Sequence, residues 1–112
     1  MVDVLVVRDG CKAIVGFEIR GHSGYDVAGR DIVCAAVSVT AYNSAGALSE
    51  LAGIAKCYVE SPGFMKIGLP DEIDAERRRI ADIIMNTAYI GFRQIQESYP
   101  EYLKIKEIIK EL

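Results

Sequence analysis

Two side chains in this sequence could carry out covalent chemistry together: His22, the only histidine, and Cys34, one of three cysteines. A thiol becomes a useful nucleophile as its thiolate, and a helix N-terminus favours that form. An imidazole with a near-neutral pKa can take the thiol proton and later protonate a leaving amine. Asp31, Cys34 and Ser38 follow at three- and four-residue spacing, so on a helix they share one face. If Asp31 is the N-cap, Cys34 is the third helical residue, inside the turn where free amides and the dipole act. Those amides could also stabilise an oxyanion during acyl transfer. Asp31 then has two competing jobs: capping the helix through the Cys34 amide, or orienting His22. Gly21, Gly24 and Gly29 give the intervening loop backbone shapes that other residues resist.

Plainer readings compete with this one. A free cysteine is commonly a small buried apolar residue, a lone loop histidine is usually a surface residue, and glycine-rich loops are often only turns. Cys11 and Cys57 fall in expected strands and read as core or surface spectators. The run GYDVAGRD over Gly24–Asp31 has P-loop glycine spacing, but Arg30 and Asp31 stand where the lysine and hydroxyl residue would hold phosphate and magnesium. A zinc site needs about four ligands, and no Cys-x-x-Cys pair or second histidine joins His22 and Cys34. Neither a metal nor another cofactor is expected.

The elements that must position these residues are legible in outline. VDVLVV after Met1 reads as a strand, and Asp9-Gly10 as a two-residue hairpin turn. Ala13–Arg20 should return antiparallel and end at Gly21. A helix is expected from near Asp31 to about Leu51, stopped by Gly53. Its first turns (Ile32, Val33, Ala35, Ala36, Val37, Val39) are apolar nearly all round and predict burial. Lys56–Ser61 and Phe64–Leu69 form a hairpin about Pro62-Gly63. Acids within Asp71–Asp74 can cap a second helix. Its stripe of Ile80, Ile84, Ala88, Gly91 and Ile95 should face the core, with Ile83, Tyr89, Ile90 and Phe92 widening the apolar surface for a second contact. Pro100 closes that helix, and Tyr102–Ile109 reads as a last strand. The fold class is therefore α+β, ββαββαβ, a mostly antiparallel sheet with two helices packed on one face.

The 112 residues suit one domain spanning 1–112, with 51% apolar and 26% charged residues. A net charge of −3 argues against a generic nucleic-acid binder, although Arg77–Arg79 form a local basic patch. The start MVDVLVVRDG lacks the layout of a signal peptide. No apolar stretch is expected to span a bilayer, and no membrane partner is expected. An odd count of three cysteines without an export signal reads as reduced thiols in the cytoplasm.

The stretches G-H-S-G-Y and G-R-D-I-V-C-A-A-V-S, within Gly21–Ser38, resemble the signature of the bacterial ribosomal-processing cysteine protease family, Prp. Length and element order agree with that family along the chain. The resemblance implies a cysteine endopeptidase with Cys34 as nucleophile and His22 as general base. Asp31 and Ser38 are implied as supporting residues, and the glycines as part of a flap that orders around substrate. It further implies removal of the N-terminal extension from a precursor of large-subunit ribosomal protein number twenty-seven, cut after a hydrophobic, phenylalanine-containing sequence, by a homodimer. Asp26, an added acid in the loop, would favour basic residues after the cut. The rival from another class is a non-enzymatic, ribosome-associated module whose glycine loop grips a peptide or RNA. Pure binding needs neither His22 nor Cys34.

Overall fold

The computed structural model describes residues 1–21 and 28–110, residues 28–31 by their backbone alone. The chain runs β1 (Val2–Arg8), β2 (Ile14–Arg20), α1 (Ala28–Glu50), β3 (Tyr58–Ser61), β4 (Phe64–Gly68), α2 (Ala75–Ser98) and β5 (Leu103–Ile109). The expected ββαββαβ order is therefore found. The strands form one sheet in the order β3-β4-β2-β1-β5. Every pairing is antiparallel except β1 with β5, which the α2 crossover makes parallel.

Strand alternation decides which face of the sheet is dry. Val2, Val4, Val6, Phe17, Ile19, Met65, Ile67 and Leu103 are fully buried, and the helices supply the rest of the same core. The paired residues of the opposite face are Asp3, Glu18, Arg20, Lys66, Lys104 and Lys106, which stay in water or at its edge. A one-residue slip would exchange these sets, so the register is strongly specified. Both helices thus lie on one face.

The β1–β2 connection departs from the expected two-residue turn. Asp9 is bonded to Ala13 through its backbone N–H, its carboxylate accepts from the N–H groups of Cys11 (2.9 Å) and Ala13 (3.0 Å), and Lys12 takes the positive φ of 69°. The aspartate side chain closes a longer loop, a role that competes with the Asp-Gly hairpin geometry. The Pro62-Gly63 turn is as expected, with Gly63 at φ 73° and Ser61 opposite Phe64.

α2 is built by simple rules. Asp74 caps it by accepting from the Arg77 N–H at 2.9 Å, and Glu76 adds an acid to the first turn. Its buried line is Ala81, Met85, Ala88 and Phe92. Ile80, Ile84 and Ile95 are only partly buried against the core. The dry stripe is therefore rotated from the expected one, because Phe92 meets Phe17 edge-to-face at 5.1 Å between ring centres. Phe92 is core, whereas Ile83 (59% exposed) and Ile90 (53%) remain outside.

α1 is less segregated. Val33, Cys34, Val37, Ala41, Ser44 and Leu48 make its buried stripe, while Ile32 is 50% and Val39 65% exposed. The expectation of burial all round its first turns is thus corrected: a single sheet face covers one side of a helix and no more. The buried Ser44 hydroxyl is satisfied by donating to the Thr40 carbonyl one turn back. Ile32–Glu50 is long and apolar enough by length and composition to cross a membrane, contrary to the sequence expectation. Here its dry stripe packs in the protein core.

Candidate active site

β2 delivers the chain to the site at a point that only glycine can occupy. Gly21 has φ 88°, and a Cβ placed there would sit 2.6 Å from the Met1 carbonyl oxygen. Its N–H donates to the Gly63 carbonyl at 3.0 Å, tying the exit of β2 to the β3–β4 turn. His22 and Gly24 lie outside the described residues, so their expected roles are not located. The chain is described again from Ala28, the first residue of α1.

This start corrects the expected helix boundary. Gly29 and Asp31 lie within α1, so Asp31 is not its N-cap and Cys34 is the seventh residue rather than the third. An acid in the first turn complements the dipole almost as well as a cap does, and helix starts are poorly specified for that reason. The consequence is chemical. Free amides and the dipole act within the first turn, so they do not reach Cys34, whose own position lies in the second. A nucleophilic role for Cys34 would therefore need a neighbouring base rather than the dipole.

Cys34 is 5% exposed and belongs to the core cluster. Ser38, one turn on, is half-buried on the same flank of α1. The next turn of this flank carries Tyr42, whose hydroxyl donates to the Glu60 carboxylate and whose ring lies 5.6 Å from that of Tyr58. Through Tyr42 this flank of α1 meets the edge strand β3. Tyr58, Tyr42 and Glu60 carried no motif, because a strand residue and a helix residue eighteen positions apart meet only in the fold. Burial, and then the nearby Tyr42 hydroxyl and Glu60 carboxylate, hold the Tyr58 phenol well above its ordinary pKa.

The other thiols behave as expected of spectators, though neither is in a strand: Cys11 is exposed in the β1–β2 loop, and Cys57 is buried just before β3. Burial pushes the Cys57 thiol pKa up. Among the described residues no group of three His, Cys, Asp or Glu could hold a metal ion. Cleft size does not locate the chemistry. One cleft of about 580 Å³ lies over Gly16 and Gly68 beside Arg78, and another of about 600 Å³ runs along Val39 and Gly46. Neither is lined by Cys34.

Comparison with known proteins gives the class of chemistry. The family model described as cysteine protease Prp matches residues 1–104. The ribosomal processing cysteine protease Prp of Bacillus subtilis (strain 168) is 26% identical over 107 residues, 94% of this chain and 96% of that protein. A Streptococcus mutans crystal structure superposes with a TM-score of 0.85 at 27% identity, covering 98% of this chain and 96% of that one. The S. aureus protease Prp, solved in complex with a substrate peptide, has the same TM-score at 21% identity, covering 96% of this chain and all (100%) of that one, and shares the fold. A match along nearly the whole chain sets aside the non-enzymatic module: the protein is a cysteine protease and belongs to the Prp family.

Proposed function

We propose that this protease removes the N-terminal extension of the precursor of large-subunit ribosomal protein number twenty-seven, with Cys34 as nucleophile and His22 as general base. The observation that carries the reading is placement. β2 is pinned at Gly21, the next residue is the only histidine, and α1 begins six residues before a buried thiol. In the reaction the Cys34 Sγ attacks the scissile carbonyl as His22 takes the thiol proton. The tetrahedral intermediate collapses when the peptide C–N bond breaks and His22 protonates the leaving amine. Water, deprotonated by His22, then hydrolyses the thioester and releases Cys34. Ser38 supports the thiol or the substrate from the next turn of α1. Asp31 supports from the first turn, orienting His22 or complementing the dipole, and Gly21, Gly24 and Gly29 shape the loop that holds substrate.

The test is mass spectrometry of the precursor after incubation with the protein. The expected result is a single cut releasing the extension, abolished in Cys34→Ser. Trimming at the normal rate by Cys34→Ser would overturn the nucleophile assignment. We further infer a cytoplasmic homodimer. Exposed apolar side chains support it on both helices, Ile83 and Ile90 on α2, and Ile32, Val39 and Leu51 at or beside α1. A single monomer boundary in sedimentation velocity at micromolar concentration would contradict that state.

A further inference from the structure

The cluster of Tyr42, Tyr58 and Glu60 stands beside the candidate site and has no part in the chemistry above. Glu60 is exposed on β3, and its carboxylate is fixed by the Tyr42 hydroxyl through one oxygen, Oε2. Among the described residues no cation pairs with it. The Tyr58 hydroxyl beneath is completely buried and makes no well-formed hydrogen bond among the described residues, although it lies near both partners. A buried, unbonded hydroxyl is uncommon in folded proteins.

β3 is also an edge of the sheet, paired only with β4. In an antiparallel ladder, residues alternate between bonding their partner and facing away. Ser61 and Phe64 close the turn as a pair, so the backbone groups of Glu60 face the free edge. An extended peptide can add there as a further strand. A peptide that meets Glu60 and also reaches Cys34 spans the two helical turns that separate Tyr42 from Cys34. From Tyr42 to Cys34 is about 12 Å along the helix, at 1.5 Å per residue. An extended peptide covers that span in about three or four residues.

We propose that Glu60, held by Tyr42, is a specificity residue that receives a basic side chain of the peptide substrate about three or four residues from the scissile bond. The inference rests on Cys34 as the nucleophile, which sets the origin of that distance. The carboxylate selects charge and the Tyr42 hydroxyl holds it in place, so a lysine or arginine gains a charge-assisted hydrogen bond that a neutral residue lacks.

The experiment uses fluorescein-labelled peptides spanning the cut, with one lysine scanned through each position on both sides and glutamine as the neutral control. Cleavage is read as kcat/KM on the wild-type protein, and binding as anisotropy on the Cys34→Ser variant. At one position in the stated window, lysine is expected to exceed glutamine about three- to tenfold in both readouts. Glu60→Gln should bring that ratio to about one, and Glu60→Lys should reverse it in favour of a glutamate peptide. Tyr42→Phe should weaken the preference without abolishing it. A lysine preference that survives Glu60→Gln, or none in the window, overturns the proposal. Cleavage that persists in Cys34→Ser overturns the functional reading instead, and the two failures are told apart because binding is measured without turnover.

Discussion

The two helices lie side by side on the same sheet, and they are unlike in a way that separates structure from function. α2 has one duty. Its cap, acidic first turn, dry line and wet face agree with one another, and its Gly91 approaches α1 closely enough that a Cβ would stand 3.3 Å from the Thr40 methyl. α1 has several duties. One stripe, Cys34 included, seals the core, the adjoining flank carries Ser38 and Tyr42, and the outer side exposes Ile32 and Val39. A helix with a single use can be cleanly amphipathic. One that serves a core, a site and a surface cannot, and the blurred pattern of α1 is the trace of those shared uses.

This contrast is sharpest in paired substitutions. Phe92→Ala removes the aromatic that α2 sets against Phe17 and should cost about 3–5 kcal/mol of stability by denaturant titration. Cys34→Ser should leave the denaturation midpoint close to wild type while peptide cleavage falls at least about a thousandfold. A large loss of stability with cleavage retained would make packing the main use of that thiol and break the contrast. Gly21→Ala attacks the entry to α1: the left-handed φ alone costs about 1–2 kcal/mol, and the Met1 carbonyl stands in the way of the new methyl. Activity should fall more steeply than stability, as measured by kcat/KM against the thermal midpoint.

At the start of α2 the effect should be smaller and confined to stability. Asp74→Ala deletes a cap and should cost about 1 kcal/mol, with cleavage unchanged. The smallest effect concerns β5. Hydrogen bonds from Tyr89 and Arg8 hold the Glu107 carboxyl below its usual pKa. A depressed folded-state pKa contributes stability above the unfolded value, lost as pH falls through the folded one. Stability should therefore decline below about pH 4, near the ordinary glutamate value, and Glu107→Gln should flatten that slope. The pair is partly exposed, so solvent screening keeps the change small.

Legibility followed the same division. The hairpin at Pro62-Gly63, the Asp74 cap and the stop at Gly53 depend on neighbours in sequence, and each stands where its residues predict. The Asp9 loop differs from the expected turn because one side chain can serve two turn geometries, and α1 starts earlier than expected because an acid suits a cap and a first turn alike. Phe92 reads in sequence as part of a second surface because only its meeting with Phe17 marks it as core.

The sequence by itself determined the element order, the alternation that divides dry from wet sheet faces, and the residues able to do thiol chemistry, because these rest on short periods and residue type. Only the tertiary structure decided that α1 begins before Asp31, leaving Cys34 beyond the dipole's reach, and that Glu60 and Tyr42 meet beside the same flank. Those facts depend on how separate elements pack, and packing across distant positions leaves no periodic mark on the chain.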